Sequence, residues 1–289
     1  MGQTFVVGFI HGGIYALIAA GIVLVYKGSR VLNFAQAEVG TMALYATWWV
    51  SGSHHYPYIA GALAAIAFAV LIGLAFERVA VRPMTEAPRV TVAVATIGLL
   101  SLALAVEGVI FGPSPRRIPA PISGTGVHIA GVIVSPSELL AAAIVVIIAL
   151  ALSMFLRYTD FGLGVLAAAQ DATAARLMGV SHRRVSVFIW GTAGALSAIA
   201  GLLIMPTIGF LTPGALAGLF IGGLTAALVG GLNSLSGAFV GGFVVGVVEE
   251  LIKTQLVSLS VPGITSLGLF AVISAMLLLR PQGLLGGRA

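Results

Sequence analysis

The sequence predicts an all-α fold, a polytopic integral membrane helix bundle of eight to nine spans. Three observations predict it. Hydrophobic residues fill 59% of the 289 positions and charged residues only 8%, where a soluble chain carries about a quarter charged. The mean hydropathy of +1.12 would leave large apolar patches facing water, which soluble monomers rarely tolerate. Apolar runs of about 20 residues, the length that crosses a bilayer, recur along the chain.

In order, the runs fall near 4–26, 33–51, 58–76, 90–112, 137–156, 185–205, 214–232, 236–256 and 263–279. The first resembles a signal peptide only in length. Lys27 and Arg30 follow its apolar run instead of preceding it, so it reads as a true membrane helix. The seventh and eighth are glycine-rich and joined only by 233–235. They read as short, broken or re-entrant helices, which need protein or a cavity over their backbone. The whole chain, 1–289, reads as a single transmembrane domain.

Lys and Arg in short loops set the orientation. With the N-terminus outside, Lys27, Arg30, Arg78, Arg82, Arg89, Arg157, Arg176, Arg183, Arg184, Arg280 and Arg288 fall inside. Only Arg116, Arg117 and Lys253 fall outside. The C-terminus is then cytoplasmic. A longer outer loop, about 113–136, carries five prolines, which fix φ and remove donors, so it reads as stiff and irregular. It stands either as a plain connector or as a meeting place for an external partner. A cytoplasmic loop spans about 157–184.

That loop contains "LAAAQDATAARLMGVSHRRV" (166–185). Residues 166–178 are good helix formers and predict one helix of about 20 Å. Gly179 stands where a left-handed C-cap is wanted, and Ser181 is placed to cap the helix that follows. The small residues Ala167, Ala168, Ala174 and Ala175 admit a closely approaching partner, and a solvated connector is the alternative.

Several chemistries are disfavoured. There is no cysteine, hence no disulfide or thiolate. No GxxxxGK[ST] loop is present, so no P-loop ATP site is evident. The net charge of +5 follows from cytoplasmic loops and does not indicate nucleic acid, since no basic tract is interleaved with aromatics. The paired His54 and His55 have no third ligand nearby in sequence, so no metal site is expected. Nothing resembles a hydrolytic triad, and the chain is not expected to be an enzyme.

Polar residues in the runs are weighed one by one, because charge at membrane depth is costly and tends to be functional. Asn33, Gln36 and Glu38 lie near the cytoplasmic end of the second run and stand either as substrate path or as structural caps. Thr96 and Asn233 join them as tentative path residues. Glu107 is near the outer end of its run. Glu249, Glu250 and Lys253, spaced three and four apart, read as a local ion pair. Glycines at 222–223, 230–231, 237 and 241–242 read as close helix packing. "LNFAQAEVG" from Leu32 is faintly echoed by "LNSLSGAFVG" from Leu232, as in transporters with internal repeats.

Five stretches carry a resemblance. "AAAQDATAARLMGV" resembles the coupling loop of ABC importer permeases. "GGIYALIAAGIVLVYKGSRVLNFAQAEVGTMALYATWW" (12–49), "ERVAVRPMTEAPRVTVAVATIGLL" (77–100), "ALVGGLNSLSGAFVGGFVVGVVEELI" (227–252) and "LLLRPQGLLG" (277–286) resemble, in order, blocks of the branched-chain amino acid ABC permease family. Within it the chain resembles the shorter of two permease subunits. The departures are Gln36-Ala37 where the family often has His-Gly, and a coupling loop without the usual glutamate.

The resemblance implies half of a translocation path for branched-chain or other aliphatic amino acids. It implies ATPase coupling through Gln170, Asp171, Ala174, Ala175, Arg176 and Gly179, and family motif residues at Asn33, Phe34, Glu38, Arg82, Pro83, Arg280, Pro281 and Gly283. The partners implied are cytoplasmic ABC ATPase subunits that hold ATP-Mg, a second homologous permease in a heterodimer, an extracytoplasmic substrate-binding protein and membrane lipid. The chain itself would bind no cofactor. The location implied is a bacterial or archaeal inner membrane. Alternatives are a urea or short-amide importer, an ion-coupled secondary transporter or a solitary pore. The last two are disfavoured by the lack of a centrally placed acid and by the docking helix.

Overall fold

A computed structural model of the chain describes residues 2–84, 87–122, 124–129, 132–256, 263–280 and 282–285. Pro281 and Arg288, invoked above, lie outside the described residues. Among the described residues eleven α-helices follow one another: α1 Gly2–Ser29, α2 Gln36–Thr47, α3 Tyr58–Phe76, α4 Arg89–Ile110, α5 Pro136–Tyr158, α6 Asp160–Gln170, α7 Ala172–Leu177, α8 His182–Ile208, α9 Ala217–Gly230, α10 Leu235–Leu256 and α11 Ile264–Leu279. Two continue through a π-helical stretch, α2 over Trp48–Ser53 and α3 over Glu77–Val81. Between α4 and α5 lies a small antiparallel hairpin, β1 Val127–Ile129 with β2 Val132–Val134. The chain is mostly helical, as expected, and the hairpin is the one strand element among the described residues, lying against the start of α1.

Small residues decide the packing. α1 and α8 are buried along most of their length and form the centre. α1 crosses α10 backbone to backbone. A Cβ on Gly12 would lie 2.6 Å from the Gly242 carbonyl oxygen, and one on Gly246 would strike the Gly12 Cα and the Gly8 carbonyl. Without a hydrophobic force between helices in lipid, such close approach is the main source of helix association. Gly246→Val is therefore expected to leave no folded, monodisperse protein in detergent by fluorescence size exclusion, whereas Gly98→Val, which meets nothing within 4 Å, is expected to be tolerated. The outward faces of α3, α4, α5 and α11 carry Leu63, Val94, Ile147 and Phe270, all exposed, as lipid-facing surfaces must.

The breaks fall only partly where expected: α9 is short, as read, and α10 is not. Among the described helices, six are long and apolar enough to cross a bilayer, and α10 is one of them, continuous over 22 residues. The reading of α10 as broken is corrected. The short ones are α2, α9 with 14 residues and α11 with 16. Irregular chain precedes the first two. Residues 30–35 run inside the protein: Asn33 and Ala35 are buried, and the Phe34 N–H donates to Thr96 Oγ1 at 3.2 Å. Thr96 is seven residues into α4, about 10 Å along it. Residues 209–216 hold Leu211 and Leu216 fully buried. Protein covers 30–35 and the stretch from Leu211 to Leu216, as such backbone requires.

Connections group at two ends. At one, Arg30 donates to Asn233 Oδ1 at 3.0 Å and to the Ala169 carbonyl at 3.1 Å. There too the N–H groups of Leu284 and Leu285 donate to the Val229 and Gly230 carbonyls at 2.7 and 3.1 Å. These last bonds satisfy the orphan C-terminal carbonyls of α9. Gly283, at φ +80°, lies against Gly231 where a side chain would collide, which accounts for the glycine in the closing motif. At the other end, Arg116 and Leu211 exchange backbone hydrogen bonds of 2.9 and 2.8 Å, and the Arg116 guanidinium lies 4.6 Å over Trp48. The proline-rich loop is thus tied into the bundle. α5 starts sharply because Ser135 and Glu138 form a reciprocal capping box with Pro136 at the first helical position.

Candidate functional site

α2 carries a polar seam into the bundle. Its first turn is set by Asn33, whose Oδ1 accepts from the Ala35 N–H and whose Nδ2 donates to Gln36 Oε1, both at 3.1 Å. Gln36 Nε2 donates to the Ala193 carbonyl and to Ser197 Oγ on α8, each at 2.8 Å. The Ser197 hydroxyl returns a bond to the Gln36 carbonyl. This buried lattice ties α2 to α8 where Gly21 of α1 leaves room for the amide.

Further along, Glu38, Thr41 and Tyr45 share one helix face at spacings of three and four. All three are buried. Glu38 meets the carboxyl of Glu107 on α4. The Gly214 N–H, from the irregular stretch before α9, donates to Glu107 Oε2 at 3.2 Å. Tyr45 stacks on Phe111 with ring centroids 3.9 Å apart. The second oxygens of both carboxyls and the hydroxyls of Thr41 and Tyr45 have no hydrogen-bond partner among the described residues. Buried polar atoms are normally satisfied, so this cluster is prepared for a further polar group or for water.

The structure brings Asn33, Gln36, Glu38 and Thr96 together along α2 and α4. Asn233 is elsewhere, at the end of the bundle with Arg30. Glu107, Thr41, Tyr45 and Ser197 were missed. Glu107, near the end of α4 where the sequence places it, is fully buried opposite Glu38 instead of reaching water. Spacings of four, seven and four from Val92 through Thr96 and Ala103 to Glu107, a buried stripe on α4, were the available signal. Glu249 and Lys253 do form the expected pair at 2.8 Å.

The coupling segment is two helices where the sequence predicts one. α6 ends at Gln170, and Asp171 turns to φ −141°, ψ 103°. Its Oδ1 accepts from the Thr173 and Ala174 N–H groups at 2.8 and 3.0 Å, starting α7. An aspartate that can cap two N–H groups favours a new helix start over continuation. Those N–H groups, Ala174 first and then Thr173, hold the Asp171 carboxyl below its ordinary value. The cap is therefore kept above the ordinary carboxylate range and lost as pH falls through the lowered value. α7 closes at Gly179, φ +88°, and Ser181 accepts from the Arg184 N–H to start α8. Ala175 packs inward, while Gln170, Ala174 and Arg176 face out. Leu177 and Met178 are 84% and 85% exposed at the tip.

Comparison with known proteins agrees over nearly the whole length. The family model described as "Branched-chain amino acid transport system / permease component" matches residues 5–280. The high-affinity branched-chain amino acid transport system permease protein LivH of Salmonella typhimurium is 30% identical, over 96% of this chain and 93% of its own. The corresponding protein BraD of Pseudomonas aeruginosa is 28% identical, over 98% and 95%. Among solved structures, PsaBC from Streptococcus pneumoniae in complex with Fab matches 97% of this chain and 92% of its own, with a TM-score of 0.52 and 13% identity. That similarity is one of fold.

Proposed function

The chain belongs to the branched-chain amino acid transport system permease family, and from that premise we propose that it forms one half of the membrane path of an ABC importer carrying branched-chain aliphatic amino acids. It is a multi-pass membrane protein, and transport permeases of this family are not enzymes. Energy comes from ATP-Mg held by separate cytoplasmic ATPase subunits. A second, homologous permease completes the path, and an extracytoplasmic binding protein delivers the substrate. The membrane is the inner membrane of a bacterium or archaeon.

The observation that carries the coupling is the α6–α7 tip. Two large apolar side chains stand almost fully in the open at the end of a connection that carries Asp160, Asp171 and Arg176. Burying each side chain contributes about 1.5–3 kcal/mol, and nothing among the described residues covers them. A groove on a soluble partner does. Asp171 and Gly179 bound the short helix at both ends, so a push on α7 is passed to α8.

Orientation and span count belong to the same reading. The end that holds Arg30, Asn233 and the α6–α7 tip is the cytoplasmic one, because most of the described Lys and Arg residues fall in the loops of that side. Nine crossings follow, with α2 and α9 as short elements whose irregular leads lie inside the protein. The N-terminus is then outside.

The test is reconstitution of the chain with its ATPase, second permease and binding protein in proteoliposomes. ATP-dependent uptake of radiolabelled leucine is expected, with isoleucine and valine competing and urea and acetamide not. Uptake of urea in place of leucine assigns the amide reading. Uptake driven by an ion gradient without ATP overturns the ABC mechanism.

A further inference from the structure

We propose that a cavity between the ends of α1, α3, α4 and α8 binds the phosphate headgroup of an anionic phospholipid. The cavity has a volume of about 410 Å³. Arg30, Arg82, Arg89, His182 and Arg183 line it, against one carboxylate among the described residues, Glu77. Glu77 is already engaged by Arg82 at 2.8 Å. Arg30 is committed to Asn233 and Ala169. Arg89 and Arg183 are exposed and make no hydrogen bond or ion pair among the described residues. The positive charge of the cavity is therefore in excess and partly unspent.

Backbone adds to it. The first turns of α4 and α8 both line the cavity. α4 starts after Pro88 with no side-chain cap, and the Ser181 cap of α8 is long, at 3.5 Å. Two helix N-termini thus present unsatisfied N–H groups and positive dipole ends, an arrangement suited to a phosphate.

The walls decide which phosphate. Val31, Val81, Met84, Val92, Ile189 and Trp190 make them apolar. Just outside, Val79 on the α3 extension and Val90 and Val94 on α4 are exposed on the lipid-facing side. A soluble phosphate gains nothing from such walls. A phospholipid places its headgroup among the arginines and its acyl chains along α3 and α4. Basic pockets between transmembrane helices on the cytoplasmic side bind anionic headgroups in this way. The inference goes beyond transport: it needs only that the chain is embedded in a bilayer, and the orientation proposed above adds that the lipid comes from the cytoplasmic leaflet.

The experiment is native mass spectrometry of the detergent-purified assembly after exchange into mixed micelles of phosphatidylglycerol and phosphatidylcholine. The assembly is expected to retain phosphatidylglycerol in preference to phosphatidylcholine. In Arg89→Gln/Arg183→Gln, retention is expected to weaken roughly thirtyfold, at about a tenfold or less contribution from each basic residue near the headgroup. Arg184→Gln, whose side chain does not line the cavity, is the control. Equal retention by the double variant overturns the proposal. So does an equal loss in Arg184→Gln, which marks general surface charge, and so does displacement of the lipid by inorganic phosphate, which marks a soluble-anion site. No substrate, ATP or binding protein enters the measurement, so failure of the transport reading leaves its outcome readable.

Discussion

Leu177→Ser/Met178→Ser is expected to abolish ATP-driven uptake while leaving the permease folded. Both side chains are more than four-fifths exposed in the isolated chain, so their loss costs the fold almost nothing. In the coupling proposed above they fill a groove on the ATPase. Together they supply about 4 kcal/mol of burial, equivalent to roughly a thousandfold in affinity. The ATPase is expected to separate from the permease during purification, and the second permease to remain. Asp171→Ala is expected to act in the same direction more weakly. It removes a helix cap, whose loss costs about 1 kcal/mol, and lets α6 and α7 wander relative to each other. Asp171→Asn, which caps as well, is expected to behave as the parent. Retention of full uptake by the serine double variant would place the ATPase contact elsewhere in the chain.

The sequence carried the large features because they depend on composition and period. Apolar runs of bilayer length located a helix at every expected position. Gly179 and Ser181 were readable because a left-handed turn and a hydroxyl cap are local requirements. The break at Asp171 was not read. Helix propensity over 166–178 is high, and a single aspartate outweighs it only because two N–H groups are free to meet its carboxylate. Helix α9 is short as its glycine-rich run suggested, whereas the short α2 was misjudged for a related reason. Run length reports how much apolar chain there is, and says nothing of whether irregular chain is packed among neighbouring helices, as 30–35 and the Leu211 and Leu216 side chains are.

The polar seam shows the same division. Asn33, Gln36 and Glu38 stand out because they interrupt an apolar run. Thr96 lies in a different run, and its role as acceptor for the Phe34 N–H follows from where that run packs. Glu107 is 69 positions from Glu38, and only tertiary packing brings the two together. A carboxylate near the end of an apolar run reads as one reaching for water. Here the segment 209–216 folds over it and the Gly214 N–H replaces water.

The meeting of Glu38 and Glu107 has a large expected consequence of its own. Two carboxyl groups in hydrogen-bond contact need a proton between them, since like charges at that distance cannot both persist. Glu107→Gln supplies an amide N–H in place of that proton and still offers an oxygen to Gly214, so it is expected to change stability by less than about 1 kcal/mol, the ordinary net worth of one hydrogen bond. Glu107→Leu removes both partners at once. Glu38 is left as a buried acid without its mate and the Gly214 N–H as an orphan, at about 1–3 kcal/mol each. The total of about 4 kcal/mol lowers the melting temperature by roughly 10 °C for a chain of this size. Thermal denaturation in detergent, read by size exclusion, separates the two variants. Equal melting temperatures for the glutamine and leucine variants would show that the carboxyl contact contributes nothing to the fold. If the glutamine variant folds like the parent yet transports poorly, the unpartnered Glu38, Thr41 and Tyr45 oxygens beside it become the polar surface over which the substrate's ammonium group passes. Parent-like transport by the same variant confines the pair to holding α2, α4 and the 209–216 segment together.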